Sequence, residues 1–279
     1  MPSLRTLSLG VVQFGSAGSP EESLKRLQEV LEDDTGTDVL LLPEYSDVNI
    51  AAHKDRESIL RAAKPIEDNP FIAGLSRIAG RLGAHILAGV LERADDCLYS
   101  SVVAVTPRGD VVLVYRKRVL FDALGYRESS LLCPGDLPPT LLSLRSWSIG
   151  AVVCFEIRFP EIARALALSG AQLLAVPAAW YGGPGKEEQL RFLAQARASE
   201  NTVYLAVADQ AGAPFAARSL VVDPYGLVRL DLGVAPAYNA AVLDQAELVE
   251  VRRRLPLLEL SARALEAARV AVRHLKLRG

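Results

Sequence analysis

The 279-residue chain is half hydrophobic with a formal charge of −2, which allows a sizeable core and argues against disorder. Its basic residues form no run longer than three, and the triplet Arg252-Arg253-Arg254 is expected on a solvated helix face, so nucleic acid is not an expected partner. Three cysteines (Cys97, Cys133, Cys154) are too few and too scattered for a disulfide framework, and no CxxC pair points to zinc.

Arg5 is followed by a short apolar run that Gln13 interrupts, unlike a signal peptide. No apolar stretch approaches the roughly 18 residues of a membrane span, so a soluble cytoplasmic protein is expected. Leu4 to Phe14 reads as a first strand. Ser19-Pro20-Glu21-Glu22 is a helix start, with Leu24, Leu27, Val30 and Leu31 on one face. Asp38 to Leu42 is a buried strand ending at Pro43-Glu44-Tyr45. A helix starts at Asn69-Pro70. Strands follow at His85–Leu91, Tyr99–Thr106 and Val111–Tyr115, the last two joined by the turn Pro107 to Asp110. Phe121 to Pro139 reads as a long loop, and long ordered loops are usually functional.

Trp147 to Val153 forms an apolar run that stops at Cys154, and a helix follows from Pro160 or Glu161 to Leu168. Strand Gln172–Val176 leads to Pro177-Ala178-Ala179-Trp180, a glycine-rich turn and a helix over Lys186–Asn201. Strands Val203–Ala208 and Ser219–Val222, a turn at Asp223 to Gly226 and strand Asn239–Leu243 precede helices Gln245–Leu255 and Ser261–Leu277.

The segments Ser8–Val12 and Asp38–Pro43 are echoed by Ser148–Val152 and Gln172–Pro177. Two related halves, each supplying one sheet with outer helices, predict a four-layer α-β-β-α sandwich of two mixed sheets. No Pro/Ser-rich linker separates them, so residues 1–279 are expected to form one domain, with 245–279 as a carboxyl-terminal helical extension.

A Cys-His or Ser-His site would draw on His53, His85 or His274, of which His85 falls in a strand and His274 in the terminal helix; GxSxG is absent. No His/carboxylate cluster predicts a metal. Gly182-Gly183-Pro184-Gly185-Lys186 lacks the Ser/Thr of a phosphate loop, having Glu187 there. Three strand ends each carry a reactive group: Glu44, Lys117 and Cys154. A desolvated carboxylate can serve a thiol as base if a cation stabilises the thiolate. Each also has a plainer reading: Glu44 as a cap, Lys117 as one of three solvated cations, Cys154 as inert core. Spacing alone does not bring them together.

The motifs resemble those of the nitrilase superfamily of carbon–nitrogen hydrolases. Leu41-Leu42-Pro43-Glu44 matches its base motif, and Tyr115 to Asp122 its lysine motif with Val119 where His is common. Cys154-Phe155-Glu156-Ile157-Arg158-Phe159-Pro160-Glu161 is similar to its nucleophile motif with Glu156 for Asp. Glu128-Ser129 before Pro134-Gly135, and Ala196 to Asn201, also match, in the family's order. The resemblance implies Glu44 as general base, Lys117 as oxyanion stabiliser, Cys154 as nucleophile, Glu128 as a second glutamate orienting substrate, and the Phe155 N–H in the oxyanion site. It implies a thioester route without cofactor or metal, a small-molecule amide as substrate, and a homodimer or higher homo-oligomer.

The Arg-Phe-Pro-Glu form resembles the branch of omega-amidases and deaminated-glutathione amidases, with carbamoyl amino acid hydrolases near it; nitriles fit less well. Arg158 would bind a substrate carboxylate, or alternatively pair with Glu156 or Glu161. Trp180, Tyr181 and the glycine turn are expected at the pocket mouth. A catalytically silent binding protein and an acyl transferase remain open alternatives.

Overall fold

An apolar run makes strand β1 (Thr6–Gln13), and Pro20 opens helix α1 (Pro20–Val30) in a computed structural model that describes residues 6–31 and 36–268. Ser19 caps α1 by accepting from the Glu22 N–H at 3.4 Å. Strand β2 (Val39–Leu41), helices α2 (Arg56–Ala62) and α3 (Pro70–Leu82), and strands β3 (His85–Ala94), β4 (Cys97–Val105) and β5 (Val111–Arg116) complete the first half. Asn69 caps α3 through the Phe71 N–H, and Gly83 ends it at φ 64°, a conformation that suits glycine.

A small hairpin, β6 (Asp122–Ala123) and β7 (Tyr126–Arg127), leads to the second half. This runs through β8 (Leu141–Leu144), β9 (Trp147–Ala151), α4 (Pro160–Leu168), β10 (Leu173–Ala178), α5 (Lys186–Asn201), β11 (Tyr204–Asp209), β12 (Leu220–Val222) and β13 (Val228–Asp231). Strand β14 (Ala237–Asp244) returns to the first sheet, and helices α6 (Gln245–Arg254) and α7 (Leu257–Ala268) follow.

One sheet is ordered β14-β1-β2-β3-β4-β5 and the other β13-β12-β11-β10-β9-β8. In the first, β1, β2 and β3 are parallel and β4 and β5 antiparallel; in the second, β9, β10 and β11 are parallel and β12 and β13 antiparallel. The internal repeat read from the sequence therefore extends to strand order, with antiparallel β14 and β8 added at equivalent edges.

The sandwich follows from residue alternation. Val39, Leu41, Leu87, Val102 and Ala104 face a core shared with β9, β10 and β11, while Leu40, Leu42, Ile86, Ala88 and Val103 pack outward with Leu27, Phe71, Leu75 and Ile78 of α1 and α3. Each fully buried Val, Leu, Ile or Phe among them contributes about 1.5–3 kcal/mol of transfer free energy. Gly89 in β3 lets the next strand end approach: a Cβ there would lie 2.5 Å from the Glu44 Cα and 2.7 Å from the Pro43 carbonyl oxygen.

Four expectations are revised. Edge strand β8 and helix α2 are not expected from the sequence; β8 is only four residues long and largely half-exposed, and α2 is polar, held by its Asp55 cap on the Ser58 N–H. The long loop holds the β6–β7 hairpin and a 3-10 turn over Glu128–Ser130. Cys97 and Cys133 are not both free: they form a disulfide across 36 residues, because this loop folds back on the start of β4. Arg252 is not a solvated cation; its guanidinium donates to the carbonyls of Thr202 (3.0 Å) and Ala171 (2.7 Å), leaving Arg253 and Arg254 to pair with Glu250. The helix expected over Ser261–Leu277 lies outside the described residues beyond Ala268. Among the described residues no helix is long and apolar enough to cross a membrane.

Candidate active site

Glu44 follows β2 after Leu42-Pro43, Lys117 follows β5 directly, and Cys154 stands three residues past β9. All are strand carboxyl ends, where α/β sheets gather reactive groups. Packing the two sheets brings them into one pocket, completed by Glu128 from the long loop. The pocket is tight, with a water-accessible cavity of about 30 Å³.

Lys117 is 1% exposed. Its Nζ donates to Glu44 Oε1 at 3.1 Å and to Glu128 Oε1 at 3.0 Å, with Glu128 Oε2 at 2.9 Å. Ser100 Oγ adds a 2.7 Å hydrogen bond to Glu44 Oε1. Glu128 also accepts from the Tyr45 hydroxyl (2.7 Å) and the Phe121 N–H (2.6 Å). Burial alone would push the Lys117 pKa down, but the Glu44 and Glu128 carboxylates outweigh it and hold the ammonium well above its usual range. Burial raises Glu44, against the Lys117 charge and with the help of Glu128. Burial also raises the Cys154 thiol well above its ordinary value, reinforced by Glu44 and opposed by Lys117 and by the Ala179 N–H. The resting cysteine is therefore a protonated thiol beside a carboxylate with raised proton affinity.

Cys154 has φ 44°, in the left-handed region that few non-glycine residues occupy. A 3-10 turn, Cys154–Arg158, begins there, and Glu156 holds it. This buried carboxylate accepts from the Val153 N–H (3.0 Å) within the turn, and from the Tyr115 hydroxyl (2.9 Å) and the N–H groups of Arg118 (2.8 Å) and Val119 (3.1 Å) beside Lys117. One glutamate thus ties the nucleophile turn to the lysine segment. The longer side chain in place of Asp reaches both.

Aromatic rings make the other walls. Phe121 lies 5.0 Å from Phe155, and Tyr181 lies 5.3 Å from Tyr126 and 5.4 Å from Phe215, centroid to centroid. Trp180 is buried, its N–H donating to Asp209 Oδ1 at 2.8 Å and its indole N–H to the Lys186 carbonyl at 2.9 Å. Arg158 stacks 4.6 Å above the Trp180 ring and donates to Gln189 Oε1 at 3.0 Å; it pairs with neither Glu156 nor Glu161. Lys186 lies 4.8 Å from the same ring.

Every site residue named from the sequence, Glu44, Lys117, Cys154, Glu128, Phe155, Arg158 and Trp180, lines this pocket. Ser100, Tyr45, Lys186 and Asp209 were missed. Only Lys186 carried a signal, a lysine after a glycine-rich turn; the others lie in strands or beside a motif and look like ordinary fold positions. Among the described residues no group of three His, Cys, Asp or Glu side chains is placed to hold a metal ion.

Residues 8–253 match the family model for carbon–nitrogen hydrolases. The chain is 30% identical over 271 residues to a hydrolase of Mycobacterium tuberculosis, covering 90% of this chain and 94% of that one. It is 29% identical over 286 residues to the deaminated glutathione amidase of Bos taurus, covering 92% and 86%. The structure of a mutant of the Nesterenkonia AN1 amidase, from the nitrilase superfamily, superposes with a TM-score of 0.70 at 26% identity over 91% of this chain and 96% of that one. A match across nearly the whole length, together with the shared fold, places this chain in the carbon–nitrogen hydrolase family of the nitrilase superfamily.

Proposed function

We propose that the protein hydrolyses the C–N bond of a small carboxylated amide through a thioester on Cys154, releasing ammonia. One observation carries the mechanism: a fully buried ammonium, Lys117, fixed between two carboxylates in the pocket that holds Cys154, the one free thiol among the described residues.

Glu44 takes the Cys154 proton as the sulfur attacks the amide carbon and the C–S bond forms. The raised thiol pKa makes this base obligatory, since little thiolate exists at rest. The developing oxyanion faces Lys117 Nζ and the Phe155 N–H. Collapse breaks the C–N bond, Glu44 returns the proton to the departing nitrogen, and ammonia leaves. Water then attacks the thioester, Glu44 accepting its proton, and that proton returns to the sulfur as the acid departs. Glu128 keeps Lys117 charged and aimed throughout. Support for a carboxylated substrate comes from Arg158, which lines the pocket without an acidic partner among the described residues, and from the relative that is a deaminated glutathione amidase.

The test is ammonia release from a panel of omega-amides, deaminated glutathione, carbamoyl amino acids, nitriles and a simple aliphatic amide. Carboxylated amides should be turned over best, and Cys154→Ala should lower the rate by about a thousandfold or more. Release that survives Cys154→Ala, or an inert panel together with a sluggish Cys154 thiol, would overturn the proposal.

A further inference from the structure

Lys186 is left over from this mechanism. It is the first residue of α5, it lines the pocket, and among the described residues its ammonium makes no ion pair and no hydrogen bond. Arg158 is equally without an acid, its hydrogen bond going to the neutral Gln189 side chain. Both cations rest on one buried indole, at 4.6 Å and 4.8 Å from its centroid. Every other cation in the pocket is neutralised, since Lys117 carries two carboxylates.

Two like charges half-withdrawn from water on one ring repel each other, and the face of the ring compensates only partly. Burial draws Arg158 below its ordinary pKa, and burial together with the Arg158 charge draws Lys186 down. Both also interact with charge on Cys154, which places them within electrostatic range of the reacting sulfur. An anion lying against both would supply the missing counter-charge. The same anion would be repelled by Glu44 and Glu128, so a substrate bearing it could enter in one direction only, carboxylate toward Trp180 and amide toward Lys117.

We propose that Lys186 is a specificity-determining residue that, together with Arg158, forms a two-cation site for the substrate carboxylate. The site selects amides carrying an acid group a few bonds from the scissile carbon. For the chemistry at Cys154 this rests on the amidase reading above. The Trp180 ring is the floor that holds both cations, and Lys186 also borders the outer groove lined by Leu124, Gly125 and Gly183. It therefore stands where the substrate's acid end would enter.

Two measurements separate the inference from the reading it rests on. The first compares kcat/KM for glutaramate with that for its neutral methyl ester in the wild type, Lys186→Gln, Lys186→Arg and Arg158→Gln. The anionic-over-neutral preference should fall about tenfold in each Gln variant, as expected for losing one charged contact, mainly through KM, and persist in Lys186→Arg. The second needs no turnover: Cys154 is alkylated with iodoacetate and with iodoacetamide, and the ratio of the two rates is followed by mass spectrometry. That ratio should fall about tenfold in Lys186→Gln and Arg158→Gln and recover in Lys186→Arg. If the ratio falls while the wild type hydrolyses no amide, the anion site stands and the amidase reading fails. If Cys154-dependent hydrolysis is present but neither selectivity moves, the amidase reading stands and the two-cation site is wrong.

Discussion

Glu44 and Asp47 lie three residues apart, both buried, yet their hydrogen-bond partners give them different tasks. Glu44 faces a cation, whereas Asp47 accepts from neutral groups, among them the Leu91 N–H at 2.8 Å and Asn69 Nδ2 at 2.7 Å. Burial consequently raises Asp47 from 3.8 to about 6, against those hydrogen bonds. Because the folded pKa lies above the unfolded one, the folded state binds the extra proton. This group's contribution to stability is full below about pH 4 and is lost as the pH rises through about 6. Asp47→Asn cannot titrate. Urea unfolding of the two proteins should show the wild type gaining about 1 kcal/mol relative to Asp47→Asn between about pH 7 and about pH 5. A constant difference would show that Asp47 does not titrate in that range.

At the scale of elements, the decisive connection is between β4 and the loop that delivers Glu128. Cys97 begins β4 and Cys133 follows the Glu128 turn, and beside their disulfide the Cys133 N–H donates to the Leu98 carbonyl at 2.8 Å. Two residues further on, the Gly135 N–H donates to the Lys117 carbonyl at 2.7 Å, so the loop is pinned at both the strand and the lysine. A crosslink closing a loop of this length stabilises chiefly by restricting the unfolded chain. The paired substitution Cys97→Ser and Cys133→Ser should therefore lower unfolding free energy by about 2–4 kcal/mol in urea titrations. Ammonia release should drop as well under conditions where the variant remains folded, since Glu128 loses its anchor. Full activity in the folded variant would show that the hydrogen bonds alone hold the loop.

Across the whole molecule, two buried glutamines join the sheets at the end where the site forms. Gln13, at the end of β1, accepts from the Ser219 N–H at 2.7 Å and donates to the carbonyls of Gly233 and Ala235. Gln210, just past β11, accepts from the Ser16 N–H and donates to Ser16 Oγ and to the carbonyls of Glu44 (2.8 Å) and Tyr45 (3.1 Å). The second latch thus fixes the backbone of the candidate base from the opposite sheet. Gln210→Leu keeps the volume but strands a buried N–H and two carbonyls. It should lower stability by about 2–4 kcal/mol, measured by urea unfolding. Its loss of activity should exceed the loss of folded protein, because Glu44 is no longer held; losses of equal size would make Gln210 a stability residue only.

What the sequence determines here is whatever has a short-range signature. The apolar periods, the Ser19 and Asn69 caps and the paired half-motifs specify strands, helices and the repeat, because propensity and capping act within a few residues. Glu44, Lys117 and Cys154 could be read because each sits inside a local motif at a strand end. The tertiary structure decides what depends on faces meeting: Ser100 on Glu44 across 56 residues, Lys117 on Glu44 across 73, Gln210 on Ser16 across 194. The Cys97–Cys133 bond and the placing of Lys186 beside Arg158 on Trp180 belong to the same group. Such contacts form only when strands distant in sequence pair within a sheet or when the two sheets pack on their shared core, and no pattern within either segment encodes its partner.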